Sequence, residues 1–324
     1  IVWDENYEEI IEIEVDEGLY VLNPEVMAET KLVDFEKPMA IIPNLAIHLN
    51  RDANNAMKYD AANELFPLYG GKDADFKADL AAKLGCEKED ILASDLFVYN
   101  PQPGLVWGPE GEFVSSPRLD DLACVWACTE GFLASSENGT IPVLCAFDNE
   151  EIGSDTKQGA GSMFLPDTLQ AICEALCLSR ADYRHMLTQS MMLSCDNGHA
   201  RHPNRPDMAD KNEAPVLNGG IVIKHSVRYT TDGVSSAVFS EICRRAGVGV
   251  QHYSNRPDQM GGSTLGNIAN TKTGVSTVDI GIAQLAMHSS FETAGSRDVD
   301  TFVKGVAAFY SSALKCENGK VEIK

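Results

Sequence analysis

The chain has 324 residues, of which 44% are hydrophobic and 23% charged, the composition of an ordinary folded protein, so wholesale disorder and fibrous compositions are excluded. Lys and Arg total 26 against 48 Asp and Glu, and the formal net charge of −22 repels a polyphosphate backbone, which argues against nucleic acid as a partner. There is no run of about 18 apolar residues, and the first 15 residues hold six acidic and no basic side chain, the reverse of a secretory leader, so neither a membrane span nor export is expected.

A length of roughly two domains leaves room for a sizeable core. Residues 1–40 hold twelve acidic and two basic residues, and the alternation Ile11-Glu12-Ile13-Glu14-Val15 followed by Leu19-Tyr20-Val21-Leu22 predicts one-sided β structure. Ile1 is not a natural start, so an N-terminal part is expected to have been removed or to lie outside this sequence. From Ala61 to Cys86 the pattern turns helical, with Phe76, Leu80 and Leu84 spaced four apart. Pro/Gly clusters at Tyr99–Gly104 and Gly108–Gly111 mark a boundary.

Beyond about residue 113 the texture becomes α/β. Leu122, Val125, Trp126, Thr129, Phe132 and Leu133 form a helical apolar stripe, and Ile141–Phe147, Met191–Cys195 and Thr277–Ile282 read as buried strands. The nine cysteines include no C-x-x-C pair and are expected to be reduced core residues of a cytosolic protein. Cys124/Cys128 and Cys173/Cys177 each fall four apart, as along one helix face, and Cys145 and Cys195 lie in apolar runs.

Carboxylates follow two of the strand candidates: Asp148-Asn149-Glu150-Glu151 after the first and Asp196 after the second, with His288 close behind the third. In open α/β sheets ligands collect outside the carboxyl ends of strands. Asp120-Asp121 begins the 122–133 helix, where the plain reading is an N-cap. Singly each is an ordinary loop charge. Together they supply the oxygen and imidazole donors that divalent metals take, and of two adjacent glutamates one can hold a metal while the other serves as general base.

At these residues the chain resembles the cytosolic aspartyl aminopeptidases, dinuclear zinc exopeptidases. The matching segments are Ser116–Asp121, Asp148–Ser154, Asp196–Asn204, Gln284–Ser289 and, upstream, Ile42–Leu49. The resemblance runs from about residue 35 to the end. It implies Asp120 as a carboxylate bridging two Zn2+ ions, or other divalent ions, with Glu151, Asp196 and His288 as further ligands and Glu150 as general base. It assigns Lys224 to the acidic side chain of the substrate's first residue, His199 and Tyr229 to substrate contacts, and His48 to oxyanion stabilisation in a neighbouring subunit's site.

The implied fold is a three-layer α/β/α catalytic domain with a mixed sheet, residues 114–324, whose N-terminal part is missing here, plus most of an inserted, mostly β dimerisation domain, residues 1–113. The implied protein is cytoplasmic, assembles as a tetrahedral dodecamer and removes N-terminal Asp or Glu from short peptides. Two features depart from the family: no H-x-D metal-ligand motif precedes Ile42, and Phe291 stands where the family usually has Arg three residues after the histidine. A catalytically incomplete homologue acting as a scaffold or subunit, and a dinuclear aminopeptidase of other specificity, are the alternative expectations.

Overall fold

The structure is a computed structural model that describes residues 29–55, 58–259, 261–317 and 320–324, together with short strands within the first 21 residues. Its chain forms two compact units, Ile1–Pro101 and Gln102–Lys324. The division falls inside the first Pro/Gly cluster. The strands Leu105–Trp107 and Phe113–Ser116 pair with each other in the second unit, which therefore begins before residue 114.

In the first unit the alternating segment forms a hairpin, Glu12–Val15 against Gly18–Val21; its flanking Ile11 and Leu22 lie outside the described residues. The expected helix over 61–86 is two shorter ones, Ala61–Glu64 and Phe76–Leu84. Asp75 starts the second by accepting the Ala78 N–H, and Gly85, at φ 72°, ends it in the left-handed conformation that glycine adopts at no steric cost. Lys88 ties the C-terminal side back to Asp75 at 2.7 Å, and Leu80 and Ala81 supply the buried face.

The second unit is built on a mixed four-stranded sheet in the order Val250–Ser254, Ile221–His225, Ser276–Gly281, Met191–Cys195. The outer pairings are parallel and the central one, Ile280 opposite Ile223, is antiparallel. Ile221, Ile223, Val278 and Ile280 point to one face, where they pack with Cys124, Ala127 and Cys128 of the helix Leu119–Leu133, Phe239 and Cys243 of Gly233–Arg245, and Phe302 and Val306 of Ser296–Tyr310. Helix Leu265–Thr273 covers the alternate face, where Gly266 abuts Asp279 and Ser194. A second sheet, ordered Leu105–Trp107, Phe113–Ser116, Glu292–Gly295, Ala283–Leu285, Gly198–His199, carries several of the site loops.

Three local expectations are corrected. The 119–133 helix buries Cys124, Ala127, Cys128 and Gly131, whereas Leu122, Val125, Trp126 and Leu133 are exposed. Small residues win this face because helix 296–310 approaches closely: a Cβ on Gly131 would lie 2.7 Å from Val306 and 3.0 Å from the Val303 carbonyl. Ile141–Phe147 is neither a strand nor fully buried, since no described strand offers it a ladder; Leu144 packs on the core, and Tyr310 donates to the Val143 carbonyl at 2.9 Å. Helix Phe164–Ala175 ends before Cys177, which is exposed at φ 57°, so only Cys173 of that pair lies in the core.

Gly281 sits where strand 276–281 passes the loop after strand 191–195. A Cβ there would lie 2.0 Å from the Asp196 carbonyl and 2.9 Å from Asn197 Cα, backbone atoms that cannot swing aside. Gly281→Ala is expected to cost about 1–3 kcal/mol of stability and to displace Asp196. A urea midpoint equal to that of the parent chain would contradict this close approach.

Candidate metal centre

The strands of the two sheets deliver acidic side chains to one place. After strand 113–116 the chain turns through Arg118, at φ 58°, to Asp120. The Asp120–Asp121 peptide is cis. Glu150 and Glu151 stand on a single 3-10 turn closed by Gly153 N–H to the Glu150 carbonyl at 2.8 Å and Ser154 N–H to the Asn149 carbonyl at 2.9 Å. Asp196 follows strand 191–195 and donates its N–H to the Ile280 carbonyl at 3.1 Å. His288, at φ 64°, lies in the turn between strands 283–285 and 292–295. Left-handed backbone at Arg118, Asn149, Ser154 and His288 is energetically unfavourable for non-glycine residues, and such strain concentrates at functional sites.

His288 Nε2 stands 3.1 Å from both Asp120 Oδ2 and Glu151 Oε2. The ligand-capable atoms of Asp120, Glu151 and His288 lie within 4.8 Å of one another, as do those of Asp120, Asp121 and Asp196. Asp120 thus belongs to both groups, the geometry of a shared ligand. Asp120 Oδ1 and Asp121 Oδ1 are enclosed without a hydrogen-bond partner. An enclosed acceptor with no donor is costly, and a divalent cation relieves that cost; carboxylate oxygens with one imidazole suit such an ion. These residues therefore fit the metal that the pattern implies.

Burial, then the charges of Asp196, Glu151 and Glu292, raise the Asp120 carboxyl to about 7 against the pull of His288. Burial, Asp196 and Glu151 raise Glu150 to about 7, opposed by Lys224 and His288. Asp121 is pushed well above the carboxylate range by burial and Asp196, and Glu151 is raised by burial while His288 opposes. Lys224 is buried, with its ammonium 2.8 Å from the Asp196 carbonyl, 3.1 Å from Asp196 Oδ2 and 3.2 Å from the Asn197 carbonyl. Burial alone would lower its pKa, but Asp196, Tyr229 and Asp279 outweigh that and hold the ammonium charged.

Tyr229 lies beside this ammonium, its ring centroid 5.2 Å from Lys224 Nζ. Asp279 fixes the adjoining loop by accepting the Thr230 N–H at 2.6 Å and its hydroxyl at 2.7 Å. His199 keeps solvent access and meets Tyr253 edge-on; desolvation, Lys224 and His288 hold its pKa below the histidine norm. His48 belongs to the first unit, exposed on the turn 47–49. Phe291 is half-buried, and its carbonyl accepts from Ser289 Oγ at 2.8 Å.

Sequence reading missed two supports. Asn197 is buried; its amide donates to the Leu119 carbonyl at 2.8 Å and to Gln284 Oε1 at 2.9 Å, and its oxygen accepts from Cys124 Sγ at 3.1 Å and Ile282 N–H at 3.2 Å. It joins the segments that carry Asp120 and Asp196. Glu292 is the second, a buried carboxylate within a strand. Neither carries a distinct signal in the sequence: Asn197 stands between Asp196 and Gly198-His199, and Glu292 follows the loop Ser289-Ser290-Phe291.

Metal-free carboxylates with raised pKa values bind more protons folded than unfolded. Their stabilising effect is complete below the unfolded values of 3.8 and 4.5 and is lost as pH rises through about 7. Metal-stripped protein should therefore melt on the order of 5 °C lower at pH 8 than at pH 5.5, with zinc restoring it at pH 8 and Asp120→Asn flattening the fall. A metal-free melting temperature that rises over this window would contradict the assigned crowding.

Residues 14–310 match the family model described as aminopeptidase I zinc metalloprotease (M18). A probable M18 family aminopeptidase 2 of Clostridium acetobutylicum is 42% identical over 291 residues, covering 87% of this chain and 67% of the relative. Among solved structures, yeast aminopeptidase 1 matches at 33% identity with a TM-score of 0.64, over 72% of this chain and 55% of that one. The S. cerevisiae mApe1 dodecamer matches at 26% identity with a TM-score of 0.69, over 94% and 68%. The chain thus spans about two thirds or less of the length of these relatives. Family model and relatives together place it in the M18 family of zinc metallo-aminopeptidases.

Proposed function

We propose that this chain acts as a zinc-dependent aminopeptidase that removes acidic N-terminal residues, Asp or Glu, from short peptides, with Glu150 as general base. The observation that carries the reading is the convergence of Asp120, Glu151 and His288, whose ligand-capable atoms lie within 4.8 Å of one another, with Glu150 next to Glu151 on the same 3-10 turn and free of that group. Asp120, Glu151, Asp196 and His288 would hold two zinc ions, with Asp120 shared between them. Bound zinc supplies Lewis acidity for the scissile carbonyl and lowers the pKa of the attacking water. Glu150 accepts the proton of that water and delivers it to the leaving amine.

Lys224 gives this acidic chain a buried positive charge beside the site. A carboxylate about 4 Å from it, at an effective dielectric near 20, has a Coulomb attraction on the order of 4 kcal/mol before desolvation. The three N–H groups of Lys224 already serve the Asp196 carbonyl, Asp196 Oδ2 and the Asn197 carbonyl, so a substrate carboxylate on the side of Tyr229 and His199 would meet the ammonium charge and not a free donor. His48 would complete the site of a neighbouring copy in a homo-oligomer, a reading supported by the mApe1 dodecamer among the related structures. Among the described residues no helix is long and apolar enough to cross a membrane; the cytoplasmic location in this reading rests on the family resemblance alone.

Two variants test this reading. Glu150→Gln keeps the size of the side chain but cannot accept the proton, so kcat should fall at least about 10²-fold with zinc content unchanged. Undiminished kcat would remove Glu150 from the role. Lys224→Ala should lower the preference for N-terminal Asp over Ala, measured as the ratio of kcat/KM values, at least about tenfold. An unchanged ratio would assign the preference elsewhere.

A further inference from the structure

Strand Glu292–Gly295 lies between strands Phe113–Ser116 and Ala283–Leu285, and Glu292 is directly opposite Ser116 in the ladder. From that rung the two neighbouring loops depart, one reaching Asp120 four residues after Ser116 and the other holding His288 four residues before Glu292. The Glu292 side chain is 2% exposed. Its Oε2 accepts the Asp120 N–H at 2.9 Å and its Oε1 accepts the His288 N–H at 2.6 Å. One carboxylate thus grips the backbone of two site residues, and His288 Nε2 lies 3.1 Å from Asp120 Oδ2.

A buried carboxylate amid Asp120 and Glu151 is electrostatically unfavourable, and both of those groups feel its charge. A structural strut could have been neutral, whereas a carboxylate has two equivalent acceptor oxygens and no donor, the requirement for two converging N–H groups. His288 also sits at φ 64°, a conformation that its surroundings must impose.

We infer that Glu292 is a positioning residue for the metal centre: it sets the spacing of Asp120 and His288 before any ion arrives and adds negative charge behind them. The inference rests on Asp120 and His288 being metal ligands, as proposed above. Glu292→Gln is the informative change, because the amide must turn a donor towards one of the two N–H groups and the charge is lost.

The test is cobalt(II) titration of the metal-stripped full chain, followed by visible absorption, with metal-free melting temperature recorded alongside. Glu292→Gln is expected to weaken cobalt binding at least about tenfold and to shift the absorption bands, with kcat recovering at high metal concentration while KM for peptide stays near the parent value. Wild-type affinity and bands in folded Glu292→Gln would overturn the inference. Asp120→Asn and His288→Ala separate the two ideas: if neither alters cobalt binding, the ligand assignment fails, and if both do while Glu292→Gln does not, only the role of Glu292 fails. Should Glu292→Gln not fold, hydrogen exchange on the metal-free parent decides. Protected Asp120 and His288 amides support the grip, and unprotected ones refute it.

Discussion

Burial and mutual repulsion of Asp120, Asp121, Glu150, Glu151 and Asp196, brought together by loops and turns beside the two sheets, are the constraint on which this site turns. Burial disfavours ionisation most and the neighbouring like charges add to the effect, so Asp120 and Glu150 are raised to about 7 without metal. Lys224 is the buried cation that offsets part of the repulsion, and it does so at Asp196. The remainder is a standing demand for positive charge, which is what makes an acidic pocket bind divalent ions.

Holding such a cluster together requires supports that do not themselves react. Asn197 links the start of helix 119–133 to the loop after strand 191–195. Asp279 secures the loop bearing Tyr229 from the opposite side of the sheet residue Ile280. Gly281 allows the backbone at Asp196 to come within a distance that no side chain would permit. Left-handed backbone at Arg118, Asn149 and His288 shows where the chain bends away from its relaxed conformations to converge its carboxylates.

Much of this was legible in the sequence, for identifiable reasons. Apolar runs at 191–195 and 277–282 are strands because both faces of the sheet are covered, and Asp196, which follows the first, and His288, which comes soon after the second, sit where α/β sheets collect ligands. The run at 141–147 has the same composition but no described strand to pair with, so composition alone misassigned it. The large apolar residues of helix 119–133 suggested the wrong buried face, because close helix packing selects Cys, Ala and Gly, which contribute little to a hydrophobic pattern. Glu292 was invisible for a related reason: a lone acidic residue after a loop reads as solvated until its two backbone partners are seen.

The central claim is that this carboxylate cluster is a cation site organised on Asp120. Anomalous diffraction at the zinc edge, from crystals of the chain grown with zinc, tests it most directly. The account predicts zinc peaks within coordination distance of Asp120, one also touching Glu151 or His288 and one also touching Asp196. Zinc bound elsewhere on the chain, with Asp120 left without an ion, would contradict it.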